Sequence, residues 1–228
     1  MAFLRYELHF HTSEVSSCSK VTAADSVGWY KDKAYDGIVV TDHYTRQYFE
    51  EDDESSWEEQ VDRYLSGYQL AVQTGRPLGL NILPGLEIRF DENNNDYLVF
   101  GIDRAFLIAY PELYKLGIRS FHELTRKNKM LVYQAHPMRN GMTLINPLRV
   151  DGLEGYNGNP RQTSRNDIAT LWAKKHDMHS ISGSDFHQPG DEGRGGVIFN
   201  QPVLSQQDLV AALESQAYTL ITTEDDSY

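Results

Sequence analysis

The stretch Leu8-His9-Phe10-His11-Thr12 decides how the rest of this 228-residue chain is read. Leu4, Tyr6, Leu8 and Phe10 alternate with Arg5, Glu7, His9 and His11, the period-two pattern of a strand. Alternate strand residues project to one side, so His9 and His11 point together at the strand's end. Two neighbouring imidazoles can clamp one transition metal, yet a bare His-x-His pair fits a polar strand edge equally well. What the other strand ends carry separates the two readings.

Working outward, Ile38 to Thr41 is a short buried strand that ends in Asp42-His43. Leu80 to Leu83 and Gly85 to Phe90 form a third strand region, with Glu87 between Leu86 and Ile88. An Asn-rich turn leads to a fourth strand, Tyr97 to Ile102, flanked by Asp96 and Asp103. Met130 to Ala135 is the fifth and ends in His136-Pro137, where proline stops the ladder. Gly152 to Tyr156 is the sixth; its Glu154 could orient a ligand from behind, but a structural role is favoured. Met178 to Ser182 is the seventh and ends in Gly183-Ser184-Asp185-Phe186-His187.

Helical patterns fill the intervals. Thr22 with Asp25 resembles a capping box opening a helix to about Lys33. Val61, Tyr64, Leu65, Tyr68 and Val72 mark one amphipathic helix closed by Gly75. Pro111 to Leu116 and Ser120 to Lys129 read as short helices, Asn166 to Lys175 as one with Ile168, Leu171 and Trp172 inward, and Ser205 to about Glu214 as the last. The acidic run Tyr44 to Ser56 reads as a surface loop.

Seven strand–helix alternations argue for parallel strands with helical crossovers, and a ring of them is a (β/α) barrel one unit short of eight. Chemistry in such barrels gathers at the C-terminal strand ends. His9, His11, His43, His136, Asp185 and His187 all fall at or just past such ends. His122, His176 and His179 do not, and read as non-ligands. This placement favours the metal reading of the opening pair.

Composition sets bounds. A net charge of −12 and a pI near 5.0 argue against a dedicated nucleic-acid binder. Cys18 is the one cysteine, so no intramolecular disulfide forms, in keeping with a reducing compartment. The sequence contains no long apolar run of membrane-spanning length, and Met1 to Arg5 lacks the layout of a signal peptide. The expectation is a cytoplasmic protein with residues 1–228 forming a single domain.

Imidazoles and carboxylates together suit zinc, manganese or iron. The candidate ligands outnumber the need of one tetrahedral ion, whereas several ions sharing a bridging carboxylate would use them. Such a centre makes hydroxide available near neutral pH and neutralises an anionic ester. Phosphate ester hydrolysis is the reaction class that follows.

His-Phe-His-Thr from His9, Thr41-Asp42-His43, Gly85-Leu86-Glu87, Ala135-His136-Pro137 and Gly183-Ser184-Asp185-Phe186-His187 resemble, in order, the motifs of the PHP (polymerase and histidinol phosphatase) family. The resemblance implies an α/β fold, a distorted seven-stranded (β/α) barrel, and metal-dependent phosphoesterase activity on two or three divalent ions. It implies that His9, His11, Glu87 and Asp185 bind a first metal. Glu87 would bridge to a second held also by His136, and His43 and His187 would hold a third. Glu87, Asp185 and His187 would be the catalytic groups, and Asp42 would orient its neighbours.

Two departures stand out. Ser17-Cys18-Ser19 occupies the place of a Ser-Asp-Gly, so Cys18 stands where relatives offer the third metal a carboxylate. Asp96-Tyr97-Leu98-Val99 replaces a His-Leu-Leu-Gly, so Asp96 becomes a ligand candidate for the second metal, with Asp103 an outside one. Arg139 and Arg194 are candidates to fork onto phosphate oxygens, and Lys20 a weaker one. The expected substrate is a small phosphate ester such as a nucleotide or sugar phosphate. Histidinol-phosphate phosphatase, exonuclease, protein-tyrosine phosphatase and a non-catalytic metal-binding module are the alternatives.

Overall fold

A computed structural model describes residues 3–51 and 55–223. The alternating stretch forms strand β1 (Leu4–Phe10), followed by α1 (Ala23–Asp32), β2 (Gly37–Val40) and a two-residue strand β3 (His43–Tyr44). Then come α2 (Arg46–Glu50), α3 (Trp57–Tyr64), α4 (Ser66–Gly75), β4 (Asn81–Arg89), β5 (Asp96–Phe100), α5 (Arg104–Ala109) and α6 (Gly117–Lys127). The chain continues through β6 (Leu131–Gln134), β7 (Gly152–Asn157), α7 (Asn166–Lys175), β8 (His179–Gly183), β9 (Gly196–Phe199), α8 (Gln206–Ser215) and β10 (Tyr218–Ile221).

The strands form one sheet in the order β10-β9-β1-β2-β4-β5-β6-β7-β8, with β3 on β4. Just past β8, Phe186 bridges in parallel to Phe10 at the end of β1. Phe186 N–H donates to the His9 carbonyl at 3.1 Å and His11 N–H to the Phe186 carbonyl at 3.2 Å. The sheet therefore curls nearly shut into a barrel. Buried Tyr6, Leu8, Val39, Leu98, Tyr133 and Ile181 fill part of the core.

The alternation predicts parallel strands throughout, and the structure departs from this. β1, β2 and β4 run parallel, as do β6, β7 and β8, but β5 is antiparallel to both neighbours. Residues 90–95 between β4 and β5 are too few for a crossover, so they make a hairpin. Reversal brings the start of β5, with Asp96, to the same barrel end as the ends of β4 and β6. Asp103, beyond the far end of β5, caps α5 by accepting from Phe106 N–H at 2.7 Å.

Other expectations need correction. The Tyr44–Ser56 stretch is not a simple surface loop: β3 and α2 occupy it, and Tyr44 and Phe49 are buried against Tyr64 and Tyr114. Aromatic spacing outweighs the acidic content there; residues 52–54 lie outside the described residues. The single helix on Val61 to Val72 is two, α3 and α4, meeting at Leu65. On α7, Ile168 and Leu171 are 46% and 66% exposed, and Ala169 and Ala173 face Leu153 instead. The small side chains allow that helix to sit close to the sheet.

Candidate metal centre

At the end of the barrel where β1, β3, β4, β6 and β8 converge, imidazoles and carboxylates face one another. His9 Nε2 lies 3.3 Å from Glu87 Oε1 and 3.4 Å from Asp185 Oδ1. His11 Nε2 lies 3.3 Å from Glu87 Oε2 and 3.5 Å from Asp185 Oδ1. His43 Nδ1 is 2.9 Å from Glu87 Oε2, and His136 Nε2 is 3.0 Å from Glu87 Oε1. Glu87 thus stands in the middle of four histidines, placed by β4, the strand that pairs with β3 in register His43 to Glu87.

His9, His11 and Glu87 are fully buried, yet among the described residues His9 Nε2, His11 Nε2 and Glu87 Oε2 make no well-aligned hydrogen bond, although imidazole and carboxylate atoms face one another there at 2.9–3.5 Å. Buried polar atoms are rarely left so. Among the described residues, four sets of ligand atoms lie close enough to share an ion: His9, His11 and Glu87; His9, His136 and Asp185; His11, His43 and His187; and His43, Glu87 and Asp96. Nitrogen and oxygen donors of this kind fit a borderline divalent metal.

The surrounding residues fix how these groups point. His9 Nδ1 lies 2.9 Å from Glu154 Oε1. A carboxylate only accepts, so the Nδ1 hydrogen points at Glu154 and Nε2 is directed into the centre. The other Glu154 oxygen accepts from His136 N–H at 2.8 Å and from Asn157 Nδ2 at 2.9 Å. Glu154 therefore braces two candidate ligands, the alternative to the structural role favoured from the sequence.

Asp42 accepts from Thr12 N–H, Thr12 Oγ1 and Ser16 Oγ, each at 2.7 Å. With its proton on Asp42, Ser16 Oγ receives His11 Nδ1 at 3.2 Å and His43 N–H at 3.0 Å. Asp42 thus acts on His11 and His43 through Ser16, a residue the sequence reading passed over.

Two of the gathered residues have strained backbones. His136 has φ +28° and Asp185 φ +53°, in the left-handed region sparsely used by residues with a side chain. Asp185 Oδ2 accepts from Arg139 Nη2 at 2.5 Å, while Arg139 also donates to Asn157 Oδ1 at 2.7 Å. Arg139 is thereby tied to a candidate ligand as well as facing the cleft. His187 Nδ1 donates to the Asp185 carbonyl at 2.8 Å, and its Nε2 lies 3.1 Å from Cys18 Sγ.

Asp96 is gripped by Arg89 in a bidentate pair at 2.8 and 2.7 Å, with His136 Nε2 3.9 Å away. Arg194 donates to the Gly158 carbonyl at 2.9 Å and lines a neighbouring cavity, not the metal cleft. Lys20 lines the cleft and donates to Gln188 Oε1 at 3.0 Å. His122, on α6, pairs with Asp151, away from the centre. Arg161 and Asp191, which no sequence pattern singled out, form a bidentate pair at the cleft wall.

Electrostatics follow from this packing. Burial pushes the His9 imidazole toward neutrality, but Glu154, Asp185 and Glu87 outweigh it and hold its pKa well above the usual value. For Glu87, burial raises the carboxyl, and His9 and His43 reverse that to hold it well below the usual range. The Cys18 thiol is raised by burial, but hydrogen bonds to His187 and His43 carry it down to about 5. The cleft over these groups has a volume of about 390 Å³, within the span of small-ligand sites.

A family model described as PHP-associated matches residues 163–221. No protein of curated function matches the sequence. Among solved structures, a two-domain Bacteroides vulgatus protein containing a predicted PHP-like metal-dependent phosphoesterase matches with a TM-score of 0.70 at 18% identity. The match covers 98% of this chain and 66% of that one, so the chain spans slightly less than two thirds of that protein. PsfC from Pseudomonas syringae matches with a TM-score of 0.66 at 16% identity over 99% of this chain and 93% of that one. An amidohydrolase from Chromobacterium violaceum, with bound sulfate and no metal, matches with a TM-score of 0.56 at 14% identity over 97% of this chain and 99% of that one. The family model covers residues 163–221 alone, and the likeness to these structures, at 14–18% identity, shows a shared barrel fold. Among the described residues, no helix is long and apolar enough to cross a membrane.

Proposed function

We propose that this chain is a PHP-family hydrolase that cleaves a small phosphate ester with two or three divalent ions held at the barrel's end. The observation that carries the reading is the convergence of the buried donor atoms His9 Nε2, His11 Nε2 and Glu87 Oε2, which make no well-aligned hydrogen bond among the described residues, beside Asp185. His9, His11, Glu87 and Asp185 would hold a first ion, His136 with Glu87 and Asp96 a second, and His43, His187 and Cys18 a third. Divalent ions in these positions supply Lewis acidity, which makes hydroxide available near neutral pH and offsets the ester's charge.

The chain's own groups do the rest. Water would be the nucleophile, its proton passing to solvent, and Asp185 Oδ1 is the carboxylate oxygen that faces the centre beside it. Arg139 holds the other oxygen of that carboxylate, so Oδ1 keeps one direction. Arg139 also presents its remaining donors to the cleft, where a phosphoryl group would lie. His187, fixed by its bond to the Asp185 carbonyl, lines the same cleft. One phosphorus–oxygen bond forms to water and one breaks to the leaving group.

The test combines elemental analysis with turnover. Purified protein should hold at least two transition-metal ions per chain and hydrolyse members of a phosphorylated-metabolite panel, with chelation abolishing turnover and zinc, manganese or iron restoring it. Protein that takes up no metal after reconstitution, or takes it up and turns over no phosphate ester, refutes the proposal.

A further inference from the structure

Asp191 lies in the glycine-rich segment after β8, is 1% exposed, and is no part of the metal centre. Its carboxylate carries four hydrogen bonds. Oδ2 accepts from the backbone N–H of His187 at 2.9 Å and of Gln188 at 3.0 Å. Arg161 reaches it from the loop after β7, with Nη1 to Oδ1 at 2.5 Å and Nη2 to Oδ2 at 2.7 Å. One buried group therefore joins the backbone of a candidate metal ligand to an arginine of another loop.

Arg161 faces two ways. Its side chain is 35% exposed and lines the metal cleft together with Asp185 and His187. It also borders an adjoining polar cavity of about 740 Å³. Asp191 engages two of its five N–H groups, which leaves three for a ligand. The loop is held on the other side too: Arg161 N–H donates to Asn159 Oδ1 at 3.1 Å, and Asn159 Nδ2 to the Asp185 carbonyl at 3.2 Å. A guanidinium fixed in this way has lost its side-chain freedom before any ligand arrives, and its planar fork suits phosphate oxygens.

We infer that Arg161 is the residue that recognises the substrate's anionic group at the cleft wall, and that Asp191 is the positioning residue that aims it while holding the His187 loop. The inference rests on the phosphoesterase reading for its choice of ligand. It adds a receptor outside the metal ligands and joins substrate binding to the geometry of His187.

The test uses the zinc-loaded protein with inorganic phosphate as probe, followed by titration calorimetry, beside turnover of an aryl phosphate. Arg161→Ala should weaken phosphate binding roughly ten- to hundredfold with zinc content unchanged. Arg161→Lys, which keeps the charge but not the fork, should fall in between. Asp191→Asn should weaken phosphate binding in the same direction. In the double variant the two losses should not add, because both act through one guanidinium. Asp191→Glu should recover part of the loss. Wild-type phosphate affinity in both Arg161 variants overturns the inference, and fully additive losses overturn the positioning role of Asp191. If phosphate binding follows this pattern but no ester is hydrolysed, the functional reading fails and this one stands. If esters are hydrolysed and the Arg161 variants keep wild-type KM and phosphate affinity, the reverse holds.

Discussion

Replacing Glu154 with glutamine isolates what the bracing carboxylate does for the metal centre. Three donors converge on Glu154: His9 Nδ1–H, His136 N–H and Asn157 Nδ2–H. A carboxylate accepts all three. A glutamine amide has the same shape but offers one accepting oxygen and one donating nitrogen. If the oxygen turns to His136 and Asn157, the amide N–H₂ faces His9 Nδ1. His9 must then move its proton to Nε2, the nitrogen directed at Glu87 and Asp185, and a protonated nitrogen cannot ligate. If the amide turns the other way, the backbone of His136 loses its acceptor. Either arrangement disables one candidate ligand without altering volume. Removing such an orienting partner typically weakens metal affinity ten- to a hundredfold, about 1.4–2.7 kcal/mol. The assay is competition for zinc against a chromophoric chelator, with a circular-dichroism melt to establish that the variant is folded. A folded Glu154→Gln protein with zinc affinity within twofold of wild type would refute the tautomer argument. A variant that loses affinity only because it is unfolded would reassign Glu154 to the fold.

The remaining predictions concern charge. Arg139→Ala should lower kcat/KM for a phosphate monoester roughly ten- to a hundredfold, since it removes a charge-assisted contact to Asp185; unchanged kinetics across several esters would remove Arg139 from the site. Metal uptake should weaken as pH falls from 8 to 6: His9 and His43 have raised pKa values in the metal-free protein, so ions must displace protons that acid restores. Zinc titrations in buffers of different ionisation enthalpy should show that proton release, and a pH-independent affinity would count against it. Glu87 and Asp185 work in the opposite sense: their depressed pKa values contribute stability above the ordinary carboxylate range that is lost as pH drops through it, so melts of the metal-free protein should fall steeply there. Cobalt-loaded protein should show a thiolate-to-cobalt absorption band that is absent from Cys18→Asp, and that variant should shift preference toward manganese; a spectrum identical in both would leave Cys18 a loop residue.

Strand ends were legible in the sequence because a strand's alternation and its terminator are local. His9 with His11, His43, His136, and Asp185 with His187 are read off their neighbours, and the structure brings them together with Glu87. Glu154, Ser16, Arg161 and Asp191 were not legible. Glu154 meets His9 across 145 positions and Asp191 meets Arg161 across 30, and no local pattern marks either pair. Burial is a tertiary property, so a carboxylate inside a strand looks the same whether it faces water or a histidine. The reversal of β5 is different: six residues between two strands cannot hold a crossover, and that length is visible in the sequence. The alternation of elements concealed it.

That reversal has a chemical consequence. In a wholly parallel barrel the residue opening a strand sits at the end away from the chemistry. Because β5 runs backwards, its first residue, Asp96, pairs in register with Arg89 near the end of β4. Arg89 then holds Asp96 in a fork within 3.9 Å of His136. A carboxylate already committed to a guanidinium is a weaker metal ligand than Glu87, whose neighbours are the histidines of the centre. The hairpin thus delivers an acid and its counter-charge together, and an ion at His136 and Glu87 would compete with Arg89 for Asp96. Arg89→Gln should therefore tighten that ion while weakening the 89–96 register, so zinc affinity should rise as the melting temperature falls. If both fall together, Asp96 belongs to the hairpin alone.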